Sequence, residues 1–305
     1  MTATHPPRLT HVATLVAHPD HPFIDDAHAA RVATILPQAG APDWLAPGVA
    51  VDLPFAGAGR DARKLADAAR ALIAPAQIDV IVQPLAHRRK ALFLADMDST
   101  MIGQECIDEL AGELGLREHV AAITERAMRG EIAFEPALRE RVGLLRGLPA
   151  TIVDDVIARR ITLMSGGATL LRVMRRHGVY TALVSGGFTV FTGPISERLG
   201  FHEHRSNTLL MENGAFSGAV AEPILGQQAK LDALRELRAT RGVDPREVMA
   251  VGDGANDLAM LGEAGLGVAY RAKPAVAAAA AARVDWSDLT ALLYAQGYRS
   301  SDLAA

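Results

Sequence analysis

An α/β protein, built on a doubly wound parallel sheet with an inserted helical cap and a small N-terminal α/β domain, follows from three features of this 305-residue chain. Short, uninterrupted apolar runs recur at Ala91–Ala95, Val179–Val184, Val248–Gly252 and Leu266–Ala269, and runs of that kind fit strands buried on both faces. Helical stretches alternate with them, about 167–177, 190–199, 228–240, 256–263 and 287–296, the pattern of crossover-connected parallel strands. Two insertions break this rhythm. The segment 101–165 is polar-periodic with no strand-like run, which predicts a helical subdomain beyond the first core strand. Asn207 to Val220 carries Asn213-Gly214 between two alternating segments, which predicts a hairpin.

Ahead of the core lie three short strands, 9–17, 49–54 and 78–84, with helices predicted at about 24–38 and 60–74. His87-Arg88-Arg89-Lys90 reads as a solvated linker, so the domains are drawn as 1–88 and 89–305. Two domains also suit a chain of this length.

Composition excludes several function classes. Lys plus Arg is 31 against 35 for Asp plus Glu, and a net charge of −4 argues against a protein held by nucleic-acid phosphates. Cys106, the single cysteine, rules out an internal disulfide framework and a cysteine zinc cluster, and fits a reducing compartment, the cytoplasm. Val12–Ala17 and Ala275–Ala282 are too short to cross a bilayer, so neither a membrane span nor a signal peptide is expected.

The chemistry-bearing residues collect at the carboxyl ends of the predicted strands, where α/β sheets bind ligands. Ala91–Ala95 runs straight into Asp96-Met97-Asp98-Ser99-Thr100. Ser185-Gly186-Gly187 ends a second apolar run, and a hydroxyl followed by two glycines lets backbone N–H groups approach an anion at a helix N-terminus. Lys230 stands early in a predicted helix, and Gly252-Asp253-Gly254-Ala255-Asn256-Asp257 follows a third run. Asp96, Asp98, Asp253 and Asp257 crowd negative charge where a phosphate would sit, and such crowding raises the pKa of each unless a cation intervenes. Mg²⁺ suits oxygen ligands of this kind, with Lys230 as a fixed second positive charge. A carboxylate so placed can attack phosphorus, and the second Asp of the pair can deliver and then recover a proton.

The order DMDST, VSGGFT, Lys230, GDGAND resembles the haloacid dehalogenase superfamily over residues 91 to about 297. Within it the cap segments Glu105–Leu110 and Phe134–Val142, with Gly265–Pro274, resemble the phosphoserine phosphatase family. The resemblance implies Asp96 as nucleophile and Asp98 as general acid/base. It implies Mg²⁺ held by the Asp96 carboxylate, the Asp98 backbone carbonyl and Asp253, with Asp257 steadying the water shell of the metal. Ser185, Gly186 and Lys230 would hold phosphate oxygens with Asn256 nearby, Glu105 would meet the ammonium of the substrate and Arg141 its carboxylate, and Phe134 would line the lid. The expected reaction is hydrolysis of O-phospho-L-serine, the last step of serine biosynthesis. A related phosphatase or phosphotransferase acting on another small phosphorylated amino acid or amine is the alternative.

A receiver-type signalling module also uses Asp, Ser or Thr and Lys around Mg²⁺, but it lacks the second Asp two residues on and the long helical insertion. The N-terminal unit resembles an ACT-like domain, which leaves three roles open: sensing serine, forming a homodimer, or packing alone. Cys106 is read as packing, His202-Glu203-His204 as loop residues, and Arg172, Arg175, Arg176 and His177 as a solvated helix end.

Overall fold

Residues 9–57, 61–129 and 131–304 are described by the computed structural model of the chain. They form two units, one holding the described residues up to Lys90 together with those from Ala281 onward, the other Ala91–Ala280.

In the first unit, β1 (His11–Val16), β2 (Asp43–Ala46), β3 (Ala50–Phe55) and β4 (Asp79–Pro84) form an antiparallel sheet in the order β2-β3-β1-β4. Helices Asp26–Ala33 and Ala62–Ile73 complete a β-α-β-β-α-β unit. Each helix starts at an Asp whose carboxylate accepts backbone N–H groups, Asp25 from His28 and Asp61 from Arg63 and Lys64. The apolar helix faces, Ala29 and Val32 on one and Ala66, Ala69 and Ile73 on the other, pack with Leu15, Leu53, Phe55 and Val80 of the sheet. The predicted helix 24–38 stops early, at Ala33. The start predicted for the next, at residue 60, lies outside the described residues, as do residues 1–8 at the head of the chain. Strand β2 has no counterpart in the sequence reading: it is four residues long and its register shifts between Trp44 and Ala46, leaving no sustained alternation.

The carboxy-terminal segment differs from expectation. The sequence reading keeps 287–296 as a helix of the second domain, whereas here only Ala291–Ala295 is helical and the segment belongs to the first unit. Buried polar groups hold it there. Asp79 accepts the N–H groups of Asp285 (2.7 Å), Trp286 (3.2 Å) and Ser287 (2.8 Å), and the Gln83 amide and Arg88 Nε donate to the Ala295 carbonyl at 2.6 and 2.7 Å.

The second unit carries a sheet of five strands: β5 (Leu92–Ala95), β6 (Tyr180–Phe188), β7 (Glu203–Asn207), β10 (Val248–Gly252) and β11 (Leu266–Tyr270), ordered β11-β10-β5-β6-β7 and parallel throughout. Successive strands after β5 go first to one side of it and then to the other, so the strand order reverses between β5 and β10, and a crevice opens beyond their carboxyl ends. Helices Gly167–Arg176, Thr189–Leu199, Gln227–Arg241 and Leu258–Glu263 connect the strands. Strand β7 has no counterpart in the sequence reading because Glu203-His204-Arg205-Ser206-Asn207 is an edge strand with no apolar run to betray it; Glu203 and His204 are strand residues, not loop residues.

Between β5 and β6 lies the helical cap: Cys106–Gly112, Arg117–Met128, Phe134–Gly143 and Ile152–Arg160. The hairpin β8 (Leu209–Glu212) and β9 (Ala215–Val220) turns at Asn213 and Gly214, whose φ values of 51° and 79° are those of a type I′ turn. It also props the cap, since Gly147 N–H donates to the Phe216 carbonyl (2.8 Å) and Ala150 N–H to that of Gly214 (3.0 Å). No described helix is long and apolar enough to cross a membrane.

Candidate active site

The crevice is built from strand ends. Asp96 directly follows β5, and its N–H donates to the Val251 carbonyl of β10 at 3.0 Å, which fixes the residue between the two strands. Asp253 directly follows β10, with its Oδ1 accepting the Thr100 hydroxyl at 2.9 Å. Asp257 closes its own loop, Oδ2 accepting the N–H groups of Asp253 (3.2 Å) and Gly254 (3.1 Å). Lys230, fully buried on the first turn of helix Gln227–Arg241, places Nζ 2.8 Å from Asp96 Oδ1 and 2.7 Å from Asp257 Oδ1.

Carboxylate oxygens of Asp96, Asp253 and Asp257 lie within 4.8 Å of one another. Three buried acids thus face one ammonium. Burial and the neighbouring Asp257 carboxylate push the Asp96 carboxyl well above its ordinary range, and the same two causes lift Asp253 to about 7. For Lys230, burial acts downward, but the Asp257 and Asp96 carboxylates outweigh it and raise its pKa. Hard oxygen donors with surplus negative charge in a desolvated site fit a small divalent cation such as Mg²⁺. The Asp98 carboxylate stands outside this cluster and faces the cap, where its Oδ1 accepts the N–H of Cys106 at 3.2 Å. Burial pushes Asp98 up to about 6, against the lowering effect of the hydrogen bonds from Cys106. Cys106 is buried, and burial together with Asp98 pushes its thiol well above the usual range, which suits its reading as packing.

The anion cradle departs from expectation in its geometry. Rather than opening a helix, Ser185, Gly186 and Gly187 lie on a prolonged β6 whose register shifts between Val184 and Phe188, and the helix begins only at Thr189. Ser185 Oγ accepts the Gly187 N–H at 2.9 Å. A Cβ on Gly187 would lie 2.9 Å from Asp98 Oδ2, and one on Gly186 3.0 Å from the Phe134 ring, so a side chain at either position would make the acid or the cap aromatic shift. Asn207, which the sequence reading places only at the start of the hairpin insertion, clamps this loop: its Nδ2 donates to the carbonyls of Gly186 (2.8 Å) and Leu225 (3.1 Å), and its Oδ1 accepts the Leu225 N–H (2.7 Å). A buried Asn on a polar edge strand offers no signal in the sequence by which to find it.

On the cap side, Glu105 accepts the Ser99 hydroxyl at 2.6 Å and has no cationic partner among the described residues; burial and Asp98 push its carboxyl well above the usual range. Arg141 is 5% exposed, yet Nε donates to the Ala137 carbonyl (3.0 Å) and Nη1 to the Thr124 hydroxyl (2.9 Å), with no carboxylate in ion-pair contact among the described residues. Burial lowers its pKa. Both residues line one cavity of about 200 Å³ together with Asp96, Asp98, Phe134 and Ser185. Gly186 and Asn256 line it too, and Asn256 Oδ1 is buried without a hydrogen-bond partner among the described residues.

Buried acids thus cluster at the switch point of a parallel sheet, beside a helical cap inserted after its first strand. The profile of the haloacid dehalogenase-like hydrolases matches residues 93–262. The chain belongs to this family. Among curated members the hydrolase is similar to phosphoserine phosphatase SerB2 of Mycobacterium tuberculosis, 42% identical over 75% of this chain and 56% of that one. It is also similar to a phosphoserine phosphatase of Streptomyces coelicolor, 37% identical over 96% of this chain and 72% of that one. The chain therefore spans little more than half the length of the first relative. Among solved structures, a HAD family hydrolase of Salmonella enterica serovar Typhi superposes with a TM-score of 0.82 at 29% identity, covering 93% of this chain and 97% of that one.

Proposed function

We propose that this hydrolase cleaves O-phospho-L-serine to L-serine and phosphate. One observation carries the reading: a buried arginine without a carboxylate partner and a half-buried glutamate without a cationic partner, among the described residues, share a cavity with Asp96 and Asp98. Phosphoserine offers the complement of each, an α-carboxylate for Arg141, an α-ammonium for Glu105 and a phosphate for Ser185, Gly186 and Lys230. The names of the two curated relatives point the same way.

In the proposed reaction an Asp96 carboxylate oxygen attacks phosphorus while the bond from phosphorus to the serine oxygen breaks. Asp98 gives its proton to that oxygen, and a carboxyl group pushed up to about 6 can both donate and accept near neutrality. Water then attacks phosphorus, Asp98 takes its proton, and the bond to Asp96 breaks to restore the carboxylate. Asp96, the Asp98 carbonyl and Asp253 would hold Mg²⁺, with Asp257 behind them, and the ion would neutralise charge on the phosphate oxygens. Lys230 bridges Asp96 and Asp257 and holds the nucleophile in place.

Phosphate release from L-phosphoserine, phosphoethanolamine and an aryl phosphate, each with Mg²⁺ and with chelator, tests the proposal. A metal-dependent preference for phosphoserine is expected. Equal rates on all three would remove Glu105 and Arg141 from substrate recognition, and activity persisting in chelator would remove the metal.

A further inference from the structure

Resting on that reading, a second layer of the cap accounts for how Arg141 stays available to a substrate. Thr124, on helix Arg117–Met128, accepts from Arg141 Nη1 at 2.9 Å, and its Oγ1 lies 2.8 Å from Asp108 Oδ1 and 3.1 Å from the Val120 carbonyl. A threonine hydroxyl has one proton, and the shorter contact directs it to Asp108, leaving its lone pairs for the guanidinium. Asp108 lies on helix Cys106–Gly112, whose N-cap is Glu105. Three cap helices therefore join in one chain of hydrogen bonds, with the proposed ammonium ligand at the head of the first helix and the proposed carboxylate ligand on the third.

The interposed hydroxyl matters electrostatically. Asp108 and Arg141 make no ion pair among the described residues, so the guanidinium plane is fixed without its charge being cancelled. A direct carboxylate partner would compete with the substrate for the same bidentate face. We infer that Thr124 and Asp108 are positioning residues which orient Arg141 for the substrate carboxylate and thereby set selectivity for phosphorylated amino acids over phosphorylated amines.

The test compares the wild-type 305-residue chain with Thr124→Val, Thr124→Ser, Asp108→Asn and Arg141→Ala on phosphoserine and on phosphoethanolamine, which lacks the carboxylate. Thr124→Val, matched in shape but without the hydroxyl, is expected to raise KM for phosphoserine about tenfold with kcat within about twofold, and to leave phosphoethanolamine unchanged. Thr124→Ser should restore the phosphoserine KM, and Asp108→Asn, which keeps an acceptor oxygen, should shift it about threefold. Equal effects of Thr124→Val on both substrates, no effect on either, or failure of serine to rescue would overturn the relay. Should Thr124→Val not fold, an Asp108→Asn variant with unaltered phosphoserine KM overturns it instead. Arg141→Ala separates the two levels of the argument. Its selective loss on phosphoserine beside an inert Thr124→Val rejects the relay alone, whereas an equal loss on both substrates rejects the Arg141 assignment and the relay with it.

Discussion

Both units bury acidic side chains, and they treat them in opposite ways. In the first, Asp52 is enclosed by hydrogen bonds: Arg88 Nη1 and Nη2 reach its two oxygens at 2.6 and 2.8 Å, and Thr14 donates to Oδ1 at 2.7 Å. Asp79 is likewise covered by three backbone N–H groups. In the second, among the described residues, Lys230 is the one ammonium in ion-pair contact with the cluster of Asp96, Asp253 and Asp257, meeting the first and last of them, while Glu105 meets a hydroxyl and Arg141 neutral oxygens. A buried ion whose partners are all in place contributes to one fold. Surplus charge on both sides of a cavity is a cost to the fold, which under the proposed function a cation and a zwitterionic phosphate ester would offset.

This contrast can be broken by removing one acid or base from each side. Asp96→Asn should lower turnover by roughly a thousandfold or more while leaving the melting temperature unchanged or higher, because one of three mutually repelling carboxylates is gone. Substantial residual turnover would take Asp96 out of the nucleophile role. Arg88→Ala should instead cost about 3–5 kcal/mol in urea denaturation, since it strands the buried Asp52. A loss below about 1 kcal/mol would mean that water reaches that carboxylate and that the first unit is not closed as described.

Acidity sharpens the comparison further. Burial pushes Asp79 up to about 6 against an ordinary 3.8, despite its three N–H donors. The folded chain therefore binds this proton more tightly than the unfolded one, and the contribution of Asp79 to stability falls as pH rises from about 4 to about 6, by at most about 3 kcal/mol. The stability difference between wild type and Asp79→Asn should shrink or reverse across that window; a flat difference would show that the hydrogen bonds offset burial. Smallest is the effect of metal. Mg²⁺ at a hundredfold excess over its Kd should stabilise the protein by about 2.7 kcal/mol, read as a rise in melting temperature, and Asp253→Asn should abolish the rise. A shift that survives in Asp253→Asn would place the ion elsewhere.

The acids of the crevice are legible in the sequence because each stands at the end of a continuous apolar run, and buried parallel strands deliver the residues beyond their carboxyl ends to one edge of a sheet. Asp96, Asp98, Ser185, Asp253 and the cap insertion are of this kind, as is the Asn213-Gly214 turn. Strands β2 and β7 are not, since a four-residue bulged strand and a polar edge strand leave no periodicity to read. Nor is Asn207, whose value lies in the carbonyls and N–H group it meets across a loop.

The apolar runs that become β5, β6, β10 and β11, the residues that end them and the place of the cap were determined by the sequence alone, because hydrophobic periodicity and turn chemistry are local properties of the chain. Only the tertiary structure decided that Lys230 bridges Asp96 and Asp257, that Asp98 faces the cap, that Arg141 is held through the Thr124 hydroxyl, and that residues from Ala281 onward join the first unit. Charge pairing and burial depend on groups far apart in sequence, and no local pattern records which of them meet.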